Sequence, residues 1–565
     1  MPSPDNDKML TALQKSLHKQ RVLIVDRHPA ARESLRLMLA ELGIISVHGV
    51  GSAAEVLRQV RSHRFDLILS DYYLEDGRDA QQLLEEMRLT HLIPRSTLYL
   101  VVTSERSYSN VVALAELAPD GYLLRPFTPD QLHARLVRAA YRKHQLRHIL
   151  RHLEHGNPEG AIDACDQLAE QDSDFAYDAL RYKGELLLQI GRAEEAEGVF
   201  RHVIAVREQP WARMGLARAL RDQGQADHAT SIASELLRDA PDFLAVNDFL
   251  ASTLAQLGRL DTAQQILQHA AERSPYNTQR QRQVGDLASR NGDLLAAEKA
   301  YGMVIERSRG STLRHLDDFV NLSRVLIDRG DVGAARRVIA NMQREWRNDK
   351  QADMAALIGE SLCLHAEGRG DRAAPLIEQA LTRQAELDRD SQHVLTARPQ
   401  SPRLAVDLAR ACYASGLDRE ADALVRRVAS SNNEDEHLMS QIRQIFEQTG
   451  HGDSGRDLLA QVDKEMVVLN NRGIIAARSG NLRGAVELLM QAADEAPNLQ
   501  FLLNAAKAIY SLLDQDGWDA ALAARADDYL QRAELKDPDS PKVNAARLLR
   551  SAAARKHGID PRRAG

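Results

Sequence analysis

The sequence has few aromatic residues, few cysteines and no strong excess of charge. Aromatics make up 4% of the chain, and Cys165, Cys363 and Cys412 lie far apart, which argues against a zinc site or a disulfide framework. The net charge of -7 over 565 residues gives no electrostatic reason to expect nucleic acid or membrane as a partner. Apolar runs stay shorter than the roughly 18 residues of a membrane span, and the polar start MPSPDNDK lacks a signal-peptide core. We therefore expect a cytoplasmic protein.

The length and composition predict more than one folding unit. A chain of 565 residues exceeds one ordinary hydrophobic core, so several domains or a repeat array are expected. Abundant Ala, Leu, Arg and Gln favour helix, because these side chains lose little freedom there. Residues 1–19 are polar and read as a disordered N-terminal tail.

Residues 20–148 alternate short β-rich runs with helical stretches. The runs are RVLIVD (21–26), IISVHGV (44–50), FDLILSD (65–71), LYLVVT (98–103) and GYLL (121–124), and helices are predicted at 30–42, 52–63, 79–90, 105–117 and from 128 onward. Parallel strands require crossovers, which are usually helices. The pattern therefore predicts a doubly wound α/β domain with a five-stranded parallel sheet.

Polar residues end or directly follow four of these runs. They are Asp26, Asp71, Thr103 and Arg125, the last followed by Pro126 and Phe127. All ends of this kind emerge at the carboxyl edge of a parallel sheet, so two carboxylates, a hydroxyl and a cation converge in one crevice. That set is suited to accepting a phosphoryl group.

The segment resembles the receiver domain of two-component response regulators. The resemblance implies that Asp71 is the phosphoacceptor and that Asp26, Asp71 and the carbonyl of Tyr73 bind Mg²⁺. It also implies that Thr103 contacts the phosphoryl group and that Tyr122 is the aromatic switch residue. A carboxylate can carry a phosphoryl group once a cation offsets the charge on the oxygens.

Two residues depart from the family pattern. Arg27 replaces the usual second acid, and Arg125 replaces the usual lysine in a catalytic position. Arg125 keeps the charge and can bind an oxyanion through two hydrogen bonds. Arg27 either swings out to solvent, or pairs with Asp71 and stands in for the Mg²⁺ ion.

Residues 149–540 carry a repeated glycine with an alanine five residues later. The pairs are Gly156/Ala161, Gly191/Ala196, Gly224/Ala229, Gly258/Ala263, Gly292/Ala297, Gly330/Ala335, Gly416/Ala421 and Gly480/Ala485. The ~34-residue period resembles tetratricopeptide repeats (TPR), each a pair of antiparallel helices. The pattern weakens between 310 and 400, and the polar stretch 386–403 predicts a loop between two sub-arrays. Residues 541–565 predict a capping helix and a basic tail.

The array is expected to bind protein or peptide on its concave face. The repeat spacing places the following candidate side chains on the concave face: Arg181, Trp211, Met214, Arg218, Arg221, Arg282 and Arg290. Arginines around a tryptophan suit an acidic or helical segment. Because no breaker separates Thr128 from Gly156, the two domains are expected to share one long helix.

Together the motifs resemble bacterial response regulators that carry TPR in place of a DNA-binding domain. The resemblance implies a sensor histidine kinase or phosphotransfer protein upstream, allows a homodimer, and implies no enzyme acting on an external substrate. Two alternatives stay open. The domain is a phosphorylation-independent pseudo-receiver in a scaffold or kinase sequestrant, or the array binds DNA, which the acidic composition disfavours.

Overall fold

The computed structural model describes residues 19–105, 107, 116–171, 174–393, 401–537 and 540–559. The predicted disordered tail falls almost wholly outside these residues, as does most of the helix predicted at 105–117.

The N-terminal domain is the predicted doubly wound sheet. Its strands are β1 (Val22–Val25), β2 (Val47–Val50), β3 (Leu67–Ser70), β4 (Leu98–Thr103) and β5 (Gly121–Leu124). They are all parallel, in the order β2-β1-β3-β4-β5. The described helices are α1 (Pro29–Glu41), α2 (Ala53–Ser62), α3 (Ala80–Leu89) and α4 (Pro129–Gln145). The predicted fold class is confirmed.

Alternate residues of each strand enter two different cores. On one face, Leu23 and Ile68 pack with buried residues of α2 and α3. On the other, Ile24 and Leu69 pack with residues of α1 and α4. A sheet buried on both faces explains why these strands are nearly continuous apolar runs.

The two domains are joined without a loop, although not by one helix. α4 ends at Gln145 and α5 (Arg147–Glu154) begins two residues later. Backbone hydrogen bonds run through Leu146, whose N–H donates to Arg142 and whose carbonyl accepts from Leu150. The predicted long helix is therefore interrupted at one residue, and the junction remains stiff.

The rest of the described chain is helical. The first part of the array contains α6 (Pro158–Glu170), α7 (Ala176–Gln189), α8 (Ala193–Val206), α9 (Pro210–Asp222), α10 (Ala226–Asp239), α11 (Ala245–Gln256), α12 (Leu260–Arg273), α13 (Thr278–Arg290) and α14 (Leu294–Arg307). The second contains α15 (Leu316–Asp328), α16 (Val332–Glu345), α17 (Lys350–Ala366), a 3-10 turn (Gly370–Arg372), α18 (Ala374–His393), α19 (Pro402–Ala414), α20 (Asp418–Asn432), α21 (Glu436–Gln448), α22 (Gly452–Arg478), α23 (Leu482–Glu495), α24 (Leu499–Asp516), α25 (Ala520–Lys536) and α26 (Pro541–Lys556).

Every glycine of the predicted pairs lies in a turn between two helices. Their φ angles are positive, from +63° at Gly156 to +86° at Gly330, a region that L side chains rarely adopt. Gly368, with φ +71°, makes the same kind of turn. It was missed because its distance from Gly330 exceeds the regular period, although Ala373 follows it at the expected spacing.

The stretch 386–403 differs from the predicted loop. Helix α18 extends to His393, so its first eight residues are helical, and residues 394–400 lie outside those described. Leu387 and Leu404 belong to one buried cluster that spans the second part of the array. The boundary between the two buried clusters of the array falls instead at α13 and α14.

The two ends of the array touch. The side-chain amide of Asn544 in α26 donates to the carbonyl of Gln189 in α7 at 2.8 Å. Leu548 packs against the buried cluster of the first repeats. The helix predicted to cap the array therefore also contacts its beginning. No helix among the described residues is long and apolar enough to cross a bilayer.

Candidate functional site

Two carboxylates lie side by side at the carboxyl edge of the sheet. Val25 and Ser70 are paired in register in β1 and β3. Asp26 and Asp71 follow them directly, so their backbones are about 5 Å apart, the spacing of neighbouring strands. Thr103 ends β4 on the other side of β3.

Asp26 is fully buried and engaged through both carboxylate oxygens. Arg125 donates to one oxygen at 2.5 Å, and the backbone N–H of His28 donates to the other at 2.8 Å. Arg32 donates to the Asp26 carbonyl at 2.6 Å. A buried carboxylate needs such partners, since burial of an unpaired charge is strongly unfavourable.

Asp71 is the carboxylate left open at this edge. Its side chain makes no hydrogen bond or ion pair with any other described residue, and the residue is 8% exposed. Its backbone N–H donates to the carbonyl of Val25 at 2.7 Å, which fixes its position. Asp71 is therefore held in place by its backbone, and its largely buried carboxylate has no partner among the described residues.

Thr103 and Tyr122 are linked through Glu105. The Thr103 hydroxyl accepts from the N–H of Glu105 at 3.1 Å, and the Tyr122 hydroxyl donates to the Glu105 carbonyl at 2.9 Å. Burial and the negative charges of Glu105 and Asp71 raise the pKa of Tyr122 to about 12. The Tyr122 hydroxyl therefore remains a neutral hydrogen-bond donor near the Asp71 carboxylate.

Arg27 points outward rather than to Asp71. It is exposed, its Nε donates to His28 at 3.0 Å, and its guanidinium lies 5.8 Å from the ring centre of Tyr73. A cation over an aromatic face is favourable by about 0.5–1 kcal/mol at exposed sites. Of the two orientations considered for Arg27, the structure has the outward one.

The side chains at this edge fit a divalent metal poorly. Receiver domains typically bind Mg²⁺, which prefers oxygen ligands. Here Asp26 is neutralised by Arg125, and Arg27 stands where a second acid is usual. Among the residues described, no group of three or more His, Cys, Asp or Glu side chains is placed to hold a metal.

The N-terminal domain also contacts the array far along the chain, which the sequence did not reveal. Asp79, which caps α3, pairs with Arg307 of α14 at 2.6 Å. Glu86 of α3 accepts from the hydroxyl and the backbone N–H of Thr312 at 2.7 and 3.2 Å, and from Ser311 at 3.0 Å. Segments separated by more than 200 residues thus form one surface.

A second contact joins Glu116 to the array. Arg280 of α13 donates to Glu116 at 2.7 Å and is held by two hydrogen bonds to Asp248, at 2.6 and 2.7 Å. Ser274 and Asn277 donate to the same Glu116 carboxylate, at 2.9 and 3.2 Å. Arg280 is only 1% exposed, so this ion pair is largely shielded from solvent.

The open carboxylate and the contact surface share one short segment. Asp71 begins the connection from β3 to α3, and Asp79 ends it. Tyr73 and Asp79 form a β-bridge, and the N–H of Ala80 donates to the carbonyl of Tyr72 at 2.8 Å. Asp71 and Asp79 are therefore the two ends of one closed backbone loop, and Asp79 pairs with Arg307 of the array.

Four of the groove candidates lie together in the early repeats. The Arg181 guanidinium is 5.9 Å from the Trp211 ring centre, and Trp211 and Met214 pack against the first buried cluster. Arg218 is exposed on the same helix, α9. This group places two arginines beside an aromatic ring, and its role in binding stays a prediction.

The other three candidates are more enclosed. Arg221 lies 4.9 Å from the Phe249 ring centre. Arg282 pairs with Asp318 at 2.9 Å. Arg290 lines a cavity of about 40 Å³ between α13, α15, α19 and α21. The seven candidates thus do not form a single open patch.

Comparison with known families identifies both parts of the chain. The family "Response regulator receiver domain" matches residues 22–137, and two tetratricopeptide repeat families match residues 146–210 and 245–277. The chain therefore contains a receiver domain followed by TPR, as the motifs indicated.

Individual relatives match only in part. The "DNA-binding response regulator MtrA" of Mycolicibacterium smegmatis is 31% identical over 127 residues, covering 22% of this chain and 53% of that protein. The protein of the same name from Mycobacterium leprae is 30% identical over 125 residues, covering 22% and 52%. The chain thus spans about half the length of these curated relatives. A tetratricopeptide repeat protein from Parabacteroides merdae superposes over 54% of this chain and 98% of its own, at 13% identity and a TM-score of 0.32, too loosely to bear on function.

Proposed function

We propose that the chain is a signal-transduction response regulator in which Asp71 accepts a phosphoryl group and the receiver domain controls protein binding by the array. The observation that supports this proposal most strongly concerns the Asp71 carboxylate. It has no partner among the described residues, and it lies at the sheet edge that also holds Asp26, Thr103 and Arg125. The TPR region supports protein ligands, and the receiver domain supports a phosphodonor partner.

The proposed step is a phosphoryl transfer. An Asp71 carboxylate oxygen attacks the phosphorus of a phosphohistidine on a sensor histidine kinase or phosphotransfer protein. An O–P bond forms and the N–P bond breaks. The electron pair of the broken bond stays on the imidazole nitrogen, which takes up a proton. The Thr103 hydroxyl and the Arg125 guanidinium are suited to hold the phosphoryl oxygens, since charged hydrogen bonds to phosphate are strong.

The proposed output is protein contact rather than chemistry on an external substrate. Asp79 lies at the end of the segment that starts at Asp71, and Arg307 of the array holds it. Phosphorylation adds negative charge at Asp71, and this segment relays the change to the array. The DNA binding named for the MtrA relatives is not part of this proposal, because nothing in the acidic array favours it. We place the protein in the cytoplasm with its kinase.

A second candidate, a pseudo-receiver in a constitutive scaffold or kinase sequestrant, is favoured by one observation. The ion pair between Arg125 and the buried Asp26 occupies the groups that would otherwise attend a metal and a phosphoryl group. In that function Asp71 stays unmodified and the contacts at Asp79 and Glu86 are permanent.

Phosphorylation of the full chain by acetyl phosphate, with and without Mg²⁺, separates the two candidates. We expect intact mass to show one phosphoryl group on wild type and none on Asp71→Asn, whose amide is a poor nucleophile. Exposed Asp66→Asn is the matched control and should modify like wild type. Arg27→Asp restores a second acid, and modification of this variant alone would favour the pseudo-receiver and contradict the phospho-switch.

A further inference from the structure

The array presents a row of hydrogen-bond donors along the edge that faces the receiver. We call this surface the donor edge; it comprises Asn277, Thr278, Arg280, Arg307, Ser311 and Thr312. These residues lie in or beside the connections from α12 to α13 and from α14 to α15. The donor edge is therefore separate from the groove candidates around Trp211.

The receiver meets the donor edge with acids that are spaced along one helix. Asp79 caps α3, and Glu85 and Glu86 follow about two turns later, roughly 10 Å along the axis. Thr278 donates to Glu85 at 3.3 Å and Thr312 donates to Glu86 at 2.7 Å. Burial raises the pKa of Glu85, which shows how closely the two surfaces fit.

Both sides of the contact keep an internal partner when they separate. Arg280 retains its two hydrogen bonds to Asp248, and Glu86 retains Arg78 at 3.1 Å. Arg307 is also supported, since its guanidinium lies 4.6 Å from the ring centre of Tyr276. Removal of one partner from a buried ion pair is strongly unfavourable when it strands a charge, and these internal partners avoid that for Arg280, Glu86 and Arg307. The two surfaces can therefore separate without leaving the charges of Arg280, Glu86 and Arg307 unsupported.

We infer that the donor edge is a binding site for an acidic helix of a partner protein, and that receiver helix α3 occupies it as a built-in competitor. This inference rests on the proposed function, because the receiver must be the element that vacates the site. The partner helix carries a capping acid and a pair of acids about two turns later, as α3 does. A contact made mainly of hydrogen bonds and ion pairs resembles a transient protein interface more than an obligate, apolar one.

Full-length protein with the contact weakened on the receiver side tests the inference. The opening variant is Glu85→Ala with Glu116→Gln, which removes the acceptors of Thr278 and Arg280 and keeps Glu86 as the acceptor of Thr312, and exposed Glu41→Gln is the matched control. The probe is a fluorescent peptide with the sequence RDAQQLLEEMRL (residues 78–89), and the control peptide has both glutamates replaced by glutamine. Hydrogen exchange at Thr312, whose backbone N–H donates to Glu86, reports whether the edge has opened.

We expect the opening variant to exchange faster at Thr312 and to bind the acidic peptide at least about tenfold more tightly than wild type and the control variant do. Adding Arg307→Ala to the opening variant should abolish that gain, and the glutamine peptide should bind neither protein. Faster exchange at Thr312 without a gain in peptide affinity would overturn the inference.

A second variant covers the case in which the opening variant fails to fold. Arg307→Glu opposes Asp79 and opens the edge from the array side, and it should prefer a basic peptide in which lysine replaces the aspartate that corresponds to Asp79. Equal affinity for the acidic and basic peptides would refute a charge-selective site. None of these binding experiments uses a phosphorylated protein. Their results can therefore be interpreted even if Asp71 is not phosphorylated.

Discussion

At the residue scale, several buried charged side chains are paired with side chains of opposite charge. Asp26 is neutralised by Arg125, and Arg280 is shared between Asp248 and Glu116. The sequence identified Asp26 and Arg125 from their positions after strands. It gave no sign of Glu116 or Arg280, because pairing across 164 residues depends on how the repeats stack.

His437 should make the stability of the array depend on pH. Burial lowers its pKa from 6.5 to about 4, although Asp286 lies 3.5 Å away, and Arg403 opposes protonation. Between pH 4 and 6.5 this histidine binds more protons in the unfolded chain than in the folded one. Its contribution to the free energy of unfolding is therefore fully present above pH 6.5 and falls by up to about 3 kcal/mol as the pH drops toward 4.

The check is thermal unfolding of wild type and His437→Gln between pH 4 and 7. The variant should lose less stability than wild type over this range. The neighbouring Asp286 does not titrate upward into this range, since Arg403 lowers its pKa despite burial. Parallel melting curves for the two proteins would show that His437 is not responsible.

At the element scale, small residues decide how closely helices approach. The ring of Phe200 in α8 fills the space beside Gly184 of α7 and Gly215 of α9. A Cβ at Gly215 would lie 2.3 Å from the Phe200 ring, and one at Gly184 would lie 2.5 Å from it. Both positions require glycine because α7 and α9 pack closely against the Phe200 ring of α8.

Gly215→Ala should therefore destabilise the array by about 1–3 kcal/mol, the usual effect of overpacking. The matched control is Gly198→Ala in α8, where an added Cβ meets nothing within 4 Å. That change should stabilise by about 0.5–1 kcal/mol, because alanine favours helix more than glycine does. Urea unfolding of both variants measures the difference, and equal midpoints would contradict the packing argument.

At the scale of the whole molecule, contacts between distant segments turn a linear repeat into a closed body. The receiver touches α13 and α14 through its acids, and α26 touches α7 through Asn544 and Gln189. A solenoid with only neighbour contacts would be open at both ends. These extra contacts tie the repeats to the receiver domain and to each other.

The contact between the array ends predicts an intramolecular cross-link. Gln189→Cys with Asn544→Cys should be joined by a short dimaleimide in native full-length protein, and not in urea. Cross-linking through the native cysteines should be slow, since all three are buried and burial raises the pKa of Cys165 to about 12. Formation of the cross-link only at high protein concentration would indicate contact between molecules instead.

The sequence by itself determined the local elements: five apolar runs, a ~34-residue glycine period and the polar residues after the strands. These features follow from backbone geometry and burial, which act over a few residues, so Asp26, Asp71, Thr103 and Arg125 could be placed at one edge. Only the tertiary structure decided that Arg27 packs against Tyr73, that α18 continues to His393, and that the donor edge holds α3. Such contacts depend on small rotations summed over many repeats, and no short stretch of sequence encodes that sum.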